Sequence, residues 1–388
     1  MRSSRADDPS PAVNDVLIVG GGIAGLCSAI ALGRRGVRTT VVDQAGAAVG
    51  ASILITHRAV YGLSELGVLD RVLERGRQIG PREASWWTYV FNAAGERVPV
   101  PSPVLADDWA LPSTVFIYRP LLAEILSAAA AEHGARVLKG HSYRMLAPHA
   151  GGVDVELTTG ERRSYDLVVA ADGINSGLRA RFFPDAGGPV YTGSMSFRMM
   201  FEDAPAQWLS GLHVANGGTV ASTMLPGRHF YLAVPNHMER RRVDQPQARA
   251  IVRGVLRDYE PSKMFAEVAA RLTDQVNVIV APYEWIFVEP PWHRGRIVLV
   301  GDAAHATAPT IGSAGGMAVE DSVVLAQELA AADDLDQALS SYAARRQGRA
   351  RLVVQTSAAL MKTHQERRPP QEEAGMRLAA LQALAEPY

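Results

Sequence analysis

The sequence of 388 residues predicts an α/β fold, in which separated segments build a parallel, Rossmann-like sheet. A mixed or antiparallel sheet is inserted between those segments, and a helix follows at the C-terminal end. Apolar runs at 16–19 and 297–300 each lead into a glycine-rich turn and then a helix, the order typical of parallel strands. Between them, residues 193–234 alternate strand-forming runs with turn signals and no helical periodicity, which indicates hairpins.

The first element is a strand, glycine turn and helix in immediate succession. Gly20, Gly22 and Gly25, with Ala24 between them, follow the run 16–19 and lead into an apolar helix. The first glycine permits a tight turn, the second lets backbone approach a pyrophosphate, and the third lets helix pack on strand. A second strand ends at Asp43-Gln44, and Asp43 can accept hydrogen bonds from ribose hydroxyls. Because its charge would repel a 2′-phosphate, the turn predicts binding of FAD or NAD.

The remaining elements follow from periodicity, turn residues and prolines. Pro120 suits a first helical turn, and Gly134 ends the helix that it opens. We expect a polar breaker at 366–373, after which the tail forms at most one short helix. The other predicted elements are strands at 86–91, 136–139, 153–158 and 166–170, and helices at 59–74, 249–259, 262–272, 315–331 and 335–363.

Composition and charge exclude several classes of protein. Hydrophobic residues make up 47% and charged residues 20%, and the formal net charge of −1 predicts neither nucleic acid nor membrane as a partner. The single cysteine, Cys27, allows no disulfide within the chain, which fits a reducing cytoplasm. Residues 1–14 are polar and predict a disordered leader. We expect a cytoplasmic monomer or homodimer.

Two later motifs place polar groups at strand ends. Asp172-Gly173 follows the strand at 166–170, and Gly301-Asp302 follows the strand at 297–300. Ligands bind at the carboxyl ends of parallel strands, where a carboxylate can hold ligand hydroxyls. The segment from Pro309 through Gly312, Ala314, Gly315 and Gly316 then presents bare N–H groups at a helix N-terminus, which favours negative charge.

Together, these three motifs resemble the single-component FAD-dependent monooxygenases, the aromatic hydroxylase group that includes salicylate, nicotinate and urate hydroxylases. The resemblance extends over about residues 15–360. It implies that Arg119 and the loop containing Ala51 and Ser52 border the flavin, that Asp302 holds its ribityl chain, and that Tyr143 lies near the adenine. Two departures stand out: Asp43 replaces the usual Glu, and Gly312-Ser313-Ala314 replaces Gly-Gln-Gly.

The resemblance also implies a reaction. FAD would be reduced by NADH or NADPH, which docks transiently, and would react with O2 to form a C4a-hydroperoxide that hydroxylates a small aromatic or heteroaromatic substrate. Pro309 would line the flavin face where this happens. His305 is expected to pack or bond beside the cofactor. The ten histidines show no metal-ligand spacing, so we expect no metal site.

Candidate substrate residues come from the inserted sheet. Arg198 lies among apolar neighbours on a predicted strand, which indicates a charge partner or an acidic ligand. His213, Met224, His229 and Tyr231 lie on neighbouring strands and are candidates to face the flavin. For Tyr231 and Met224, each taken singly, the core of the sheet is the favoured position. Trp86 and Trp87 alternate along a predicted strand, so only one of them is expected to face a pocket.

The predicted domains are discontinuous. A leader at 1–14 is followed by an FAD-binding domain built from 15–75, 101–177 and 282–365. A substrate-binding domain comprises 76–100 and 178–281, and a C-terminal tail covers 366–388.

Three alternatives compete with hydroxylation. A flavin-dependent halogenase shares the first glycine motif but needs a particular lysine and a Trp-x-Trp-x-Ile-Pro signature. The signature is absent, and the only lysines are Lys139, Lys263 and Lys362, which argues against this class. A flavin-dependent dehydrogenase or reductase and a non-catalytic flavin-binding protein stay open, with hydroxylation favoured over both.

Overall fold

The structure, a computed structural model, describes residues 13–45, 50–56, 58–80, 86–101, 110–215, 218–366 and 368–388. The predicted leader lies outside these ranges except for Val13 and Asn14. Of the predicted loop that contains Ala51 and Ser52, residues 50–52 are described. The strands are β1 (Asp15–Val19), β2 (Arg38–Asp43), β3 (Ser52–Thr56), β4 (Arg77–Ile79), β5 (Val90–Phe91), β6 (Arg97–Val98), β7 (Thr114–Tyr118), β8 (Arg136–Lys139), β9 (Tyr143–His149), β10 (Gly152–Leu157), β11 (Arg162–Tyr165), β12 (Leu167–Ala170), β13 (Val190–Phe201), β14 (Gly211–Ala215), β15 (Gly218–Leu225), β16 (His229–His237), β17 (Ile279–Trp285), β18 (His293–Arg294) and β19 (Ile297–Leu299). The α-helices are α1 (Ile23–Gly33), α2 (Arg58–Glu65), α3 (Leu69–Arg75), α4 (Arg119–Glu132), α5 (Gly177–Phe182), α6 (Gln245–Leu256), α7 (Lys263–Arg271), α8 (Asp302–His305), α9 (Ala314–Ala331), α10 (Leu335–Gln365) and α11 (Pro370–Ala385).

A six-stranded sheet in the order β18-β19-β12-β1-β2-β8 forms the centre of the larger core. All neighbours in it pair in parallel except β18 with β19. Every residue of β1 and β12 is buried, as parallel strands covered on both faces require. Helices α1, α4, α9 and α10 contribute to the same apolar cluster. The α/β prediction is therefore confirmed.

A seven-stranded sheet in the order β17-β13-β16-β15-β14-β5-β6 forms the second layer. Its pairs are antiparallel, except that β14 pairs in parallel with β5, so the sheet is mixed. Successive side chains of a strand point to opposite faces. Phe230, Leu232 and Val234 of β16 therefore lie on one face and pack with α6 and α7 in a separate core, which leaves the other face toward a cavity.

Three predicted elements are wrong. The run 86–91 is not one strand, because Trp86–Thr88 forms a 3₁₀ helix before β5. The single helix predicted at 59–74 is split into α2 and α3, where Gly67 adopts a left-handed φ of +72°. The polar segment 366–373 interrupts the helical structure only briefly, because α11 begins at Pro370 and continues for 16 residues. Proline suits that first helical turn, where its missing N–H is not needed.

Candidate functional site

A cavity of about 370 Å³ joins the two layers of the molecule. This volume falls within the range of small-molecule sites, roughly 300–1,000 Å³. Its wall combines the glycine turn, the antiparallel pair of strands β3 and β7, the start of α9 and one face of the seven-stranded sheet. The described lining residues include Gly22, Ala24, Ala51, Ser52, Leu54, Trp86, Trp87, Phe116, Arg119, Gly173, Arg198, Thr219, Thr223, Tyr231, Tyr283, Asp302, Pro309, Gly312, Ala314, Gly315, His364 and Arg377.

The glycine turn lies at one end of this cavity, and its geometry matches the roles argued from sequence. A Cβ on Gly20, whose φ is +110°, would lie 2.2 Å from the Ala171 carbonyl oxygen. A Cβ on Gly25 would lie 1.8 Å from the Gly20 carbonyl oxygen, so the first turn of α1 can pack there only without a side chain. Nothing lies within 4 Å of a Cβ on Gly22. The turn is thus tightly packed at Gly20 and Gly25 and open at Gly22, where a phosphate could approach the backbone.

Asp302 brings a carboxylate to the cavity at the first residue of α8. Its side chain is exposed to the cavity and has no hydrogen bond or ion pair within the described part of the chain. Desolvation by the surrounding protein raises the pKa of Asp302, while the charges of His305 and Arg119 act in the opposite direction. An acceptor that no protein group uses is available for ligand hydroxyls.

A buried charge network fixes the loop that carries Asp302. Asp321 is fully buried, and its Oδ2 accepts hydrogen bonds from the Gly301 N–H at 2.9 Å and from His305 Nε2 at 2.6 Å. Its Oδ1 accepts from Arg346 Nε at 2.8 Å, and Arg346 also pairs with Glu320 at 2.7 Å. Burial alone would raise the pKa of Asp321, but His305 and Arg346 outweigh it and hold that pKa well below the usual range. His305 therefore bonds within the protein and does not line the cavity.

The N-terminus of α9 supplies backbone donors to the same cavity. Ala314 and Gly315, the first residues of this 18-residue helix, both line it. The preceding Gly312 has a φ of +66°, and a Cβ there would meet Leu54 at 2.5 Å and Trp87 at 2.9 Å. The departure to Ala314 is tolerated because this residue is helical. Ser313 bonds to the Ile311 carbonyl and is not part of the wall.

Arg119 and Ser52 lie across from these elements on the β3–β7 side. The Arg119 N–H donates to the Ala51 carbonyl at 3.0 Å, which ties α4 to the loop before β3. A Cβ on Gly50 would lie 2.8 Å from the Arg119 side chain, so this loop runs close against it. The Ser52 hydroxyl is buried and has no hydrogen-bond partner within the described residues. That unpartnered hydroxyl indicates a ligand at this position.

Several predicted cofactor residues lie outside the cavity wall. They include Gly20, Gly25 and Gly316, which serve packing, and Asp43, Gln44, Tyr143 and Asp172. The Asp43 side chain borders the glycine turn, 2.8 Å from a Cβ placed on Gly21, and its Oδ1 accepts from the Ala45 N–H. Asp172 accepts from Ser176 Oγ at 2.5 Å and from the Leu178 N–H, so its carboxylate is bonded to the start of α5. The structure does not bring these four side chains into the cavity wall.

The seven-stranded sheet turns alternate residues toward the cavity. Thr219, Ala221 and Thr223 of β15 and Tyr231, Ala233 and Pro235 of β16 line it, as the two-residue period requires. Met224 has the opposite parity and packs toward the helices, and His229 is exposed. Arg198 on β13 also lines the wall, and its Nε is buried without a hydrogen-bond partner in the described structure. Burial raises the pKa of Tyr231, which therefore keeps its proton.

Trp86 and Trp87 both line the cavity, contrary to the sequence prediction. Their rings meet edge to face at 4.8 Å between centroids. In a 3₁₀ helix neighbouring side chains are about 120° apart, because a turn takes roughly three residues, so both can face one side. Pro309 also lines this wall.

The prediction that His213 faces the cavity is wrong. Its side chain is fully buried, stacks on Phe91 at 5.2 Å and meets Phe265 edge to face at 4.8 Å. The Ser222 hydroxyl donates to the Leu209 carbonyl, so His213 Nε2 must be the donor in its 2.8 Å bond to Ser222 Oγ. Desolvation lowers the pKa of His213 to about 4. This histidine is a neutral core residue.

Sequence reasoning missed the contribution of the C-terminal helices. His364 of α10 and Arg377 of α11 line the cavity, as does Tyr283 of β17. A signal was present for Arg377, which lies three residues after Ala374 and four before Leu381 and so shares their buried helical face.

These residues fit a flavin dinucleotide. The turn at Gly22 is open for a pyrophosphate, Asp302 and Ser52 offer unused polar atoms, and the start of α9 offers N–H groups. No cluster of His, Cys, Asp or Glu suited to a metal occurs in the described ranges. No described helix is long and apolar enough to cross a membrane.

The chain matches a known family and several known proteins. Residues 14–357 match the family model described as an FAD binding domain. YetM of Bacillus subtilis, whose provisional name is FAD-dependent monooxygenase, is 30% identical over 369 residues, which cover 92% of this chain and 96% of that protein. The FAD-dependent urate hydroxylase of Klebsiella oxytoca is 28% identical over 357 residues, which cover 87% of this chain and 87% of that protein. Among solved structures, HpxO of Klebsiella pneumoniae complexed with FAD and uric acid superposes with a TM-score of 0.72 at 24% identity, over 96% of this chain and 93% of that one. At that identity, the superposition shows a shared fold.

Proposed function

The chain belongs to the FAD-binding-domain family of FAD-dependent monooxygenases and hydroxylases, and we propose that it hydroxylates a small aromatic or heteroaromatic substrate with NADH or NADPH and O2. One observation carries this proposal. The glycine turn, Asp302 and the start of α9 share a single cavity with the aromatic and polar face of the seven-stranded sheet. A cofactor held by the first group would meet a substrate held by the second.

We assign the cofactor end to residues with unused polar groups. Asp302 would accept hydrogen bonds from ribityl hydroxyls, and the backbone at Gly22 would approach the pyrophosphate. Ser52 and Arg119 would border the ring, and the first N–H groups of α9 would stabilise negative charge on it. Asp43 would meet the ribose at the open side of the turn. When bound, FAD would take electrons from the nicotinamide and deliver oxygen chemistry to the substrate.

The substrate end is built to hold a flat molecule out of water. Trp86, Trp87 and Phe116 provide apolar surface, and Tyr231 and Arg198 provide donors from the sheet. Burial of these groups strengthens their electrostatic effect on a bound substrate and keeps water from competing. Pro309 would lie where the substrate meets the cofactor. Neither His213, which lies in the core, nor His305, which is engaged by Asp321, offers a base to this site.

We also propose the domain boundaries stated from sequence, with 15–75, 101–177 and 282–365 around the cofactor and 76–100 and 178–281 over the substrate. A reducing cytoplasm suits the single cysteine, which is buried. The oligomeric state, monomer or homodimer, stays a prediction.

The proposal is tested by turnover of the purified yellow protein. NADH and NADPH consumption is followed with and without phenols and N-heteroaromatic compounds, while hydroxylated product and hydrogen peroxide are quantified. We expect at least one compound to stimulate consumption and to yield hydroxylated product. Stimulated consumption without oxygenated product would identify a dehydrogenase or reductase. No consumption with any compound would identify a flavin-binding protein without turnover, and either result overturns the proposal.

A further inference from the structure

The last helix, α11, closes one side of the cavity with a cation. Arg377 lines the wall, is only 5% exposed, and lies over Trp87 with its guanidinium carbon 5.1 Å from the ring centroid. Leu381, one turn further along, is fully buried in the apolar cluster that contains Trp86 and Trp87. Packing therefore fixes the guanidinium against the cavity wall.

The charge of Arg377 is poorly compensated by the protein. Its Nε donates to the Thr310 carbonyl at 3.2 Å, but its Nη2 is 4.0 Å from Glu373 Oε2, beyond hydrogen-bond distance. That same carboxylate oxygen accepts from His364 Nε2 at 2.7 Å. Neither Nη atom donates a hydrogen bond within the described part of the chain. Burial lowers the pKa of Arg377 to about 10, so it stays protonated at neutral pH.

The rest of the cavity wall adds to this positive charge. Among the described lining residues, Arg119, Arg198 and Arg377 are cationic, and Asp302 alone is acidic. Arg198 has its own buried, unpartnered Nε. Charged groups are rarely buried without a partner, because desolvating an unpaired ion is expensive. A ligand that carries negative charge would supply the missing partner.

We propose that Arg377 is the specificity-determining residue of this site, and that it binds the carboxylate of a planar aromatic acid seated against Trp87. The proposal rests on the proposed function, because it takes this cavity as the substrate site. The planar guanidinium offers parallel donors to a carboxylate, and Trp87 already supports its face. His364 holds Glu373 by a hydrogen bond, and Glu373 offsets part of the charge of Arg377 from 4.0 Å.

Binding to the oxidised, FAD-loaded enzyme tests this without turnover. Benzoate, salicylate and nicotinate are titrated calorimetrically beside benzamide, salicylamide and nicotinamide, which keep the shape but lose the charge. We expect the wild type to bind at least one acid about 10-fold or more tighter than its amide. Arg377→Met should weaken that acid about 10- to 100-fold, the range for a charge-assisted hydrogen bond, and leave the amide within about threefold.

Three further variants separate recognition from packing. Arg377→Lys keeps the positive charge but lacks the paired N–H donors of a guanidinium, so the variant should keep part of the higher affinity for the acid over the amide. Glu373→Gln removes the competing carboxylate and should tighten binding of the acid alone. Arg368→Gln is the matched control, because Arg368 pairs with Glu366 and Glu372 on the exposed approach to the same helix, and the ratio should not change.

Specific outcomes overturn the proposal. A wild type that binds acids no better than amides, or binds neither, rules it out without any variant. If Arg377→Met weakens the binding of acid and amide equally, Arg377 serves packing and the proposal fails. If Arg377→Met loses FAD, the other two variants decide: an acid-to-amide affinity ratio that stays at the wild-type value in both Arg377→Lys and Glu373→Gln also overturns the proposal. Acid binding that depends on Arg377 but leads to no hydroxylation would instead overturn the proposed function alone.

Discussion

Asp321→Asn is the substitution that best tests how the buried charge network supports the site. Asp321 accepts three hydrogen bonds, from Gly301, His305 and Arg346, and is inaccessible to solvent. An asparagine keeps the size but has one acceptor oxygen, so its amide N–H₂ would face at least one of these donors. The charge of Arg346 would then be balanced by Glu320 alone.

The magnitude follows from the burial of the groups left behind. Removing one partner of a buried pair costs about 3–5 kcal/mol, because the other charge stays desolvated. Domains are stable by roughly 5–15 kcal/mol, so this is a large share of the total. With a urea m-value of about 3 kcal/mol/M, the midpoint should fall by about 1–2 M. The Gly301–Asp302 loop loses its anchor as well, so FAD affinity should fall in parallel.

Urea unfolding of the variant and the wild type, with FAD in equal excess, measures the effect. Glu132→Gln is the control, because it breaks an exposed two-pronged pair with Arg71 and should leave the midpoint unchanged. If Asp321→Asn unfolds at the same urea concentration as this control, the network does not stabilise the fold as argued. FAD affinity is read separately by fluorescence titration of the apoprotein.

Three further predictions follow. Gly312→Ala forces alanine into a left-handed φ and against Leu54, so it should cost about 1–3 kcal/mol more than Gly134→Ala, which has a similar φ and open space; equal thermal shifts would contradict this. The pKa of His213 is about 4 when folded and about 6.5 when unfolded, so stability that is full above pH ~6.5 should fall by up to about 3 kcal/mol toward pH 4. His213→Gln should flatten the unfolding free energy over that window, and an unchanged slope argues against the assignment. Asp302→Ala should weaken FAD retention by about 10- to 100-fold, with Asp302→Asn affected less, and a variant that purifies fully yellow would show that this carboxylate is misplaced.

The family and the local motifs could be identified from sequence because each depends on neighbouring residues. Gly20 and Gly25 are required by contacts within one strand, turn and helix, and Asp302 follows its strand directly. Such short-range constraints leave a pattern that a reader of the chain can recognise. The resemblance to FAD-dependent monooxygenases is confirmed by the family match over residues 14–357.

What the sequence alone could not determine depends on packing between distant segments. His213 and Tyr231 look equivalent in sequence, yet strand register turns one into the core and the other into the cavity. Trp86 and Trp87 share a wall because a 3₁₀ turn replaces the expected strand. Arg377 lies in the segment predicted only as a C-terminal tail, and the docking of α11 over Trp87 brings its charge to the site. Local patterns fix which residues can bind, because backbone sterics act over a few positions, whereas tertiary contacts decide which of them meet.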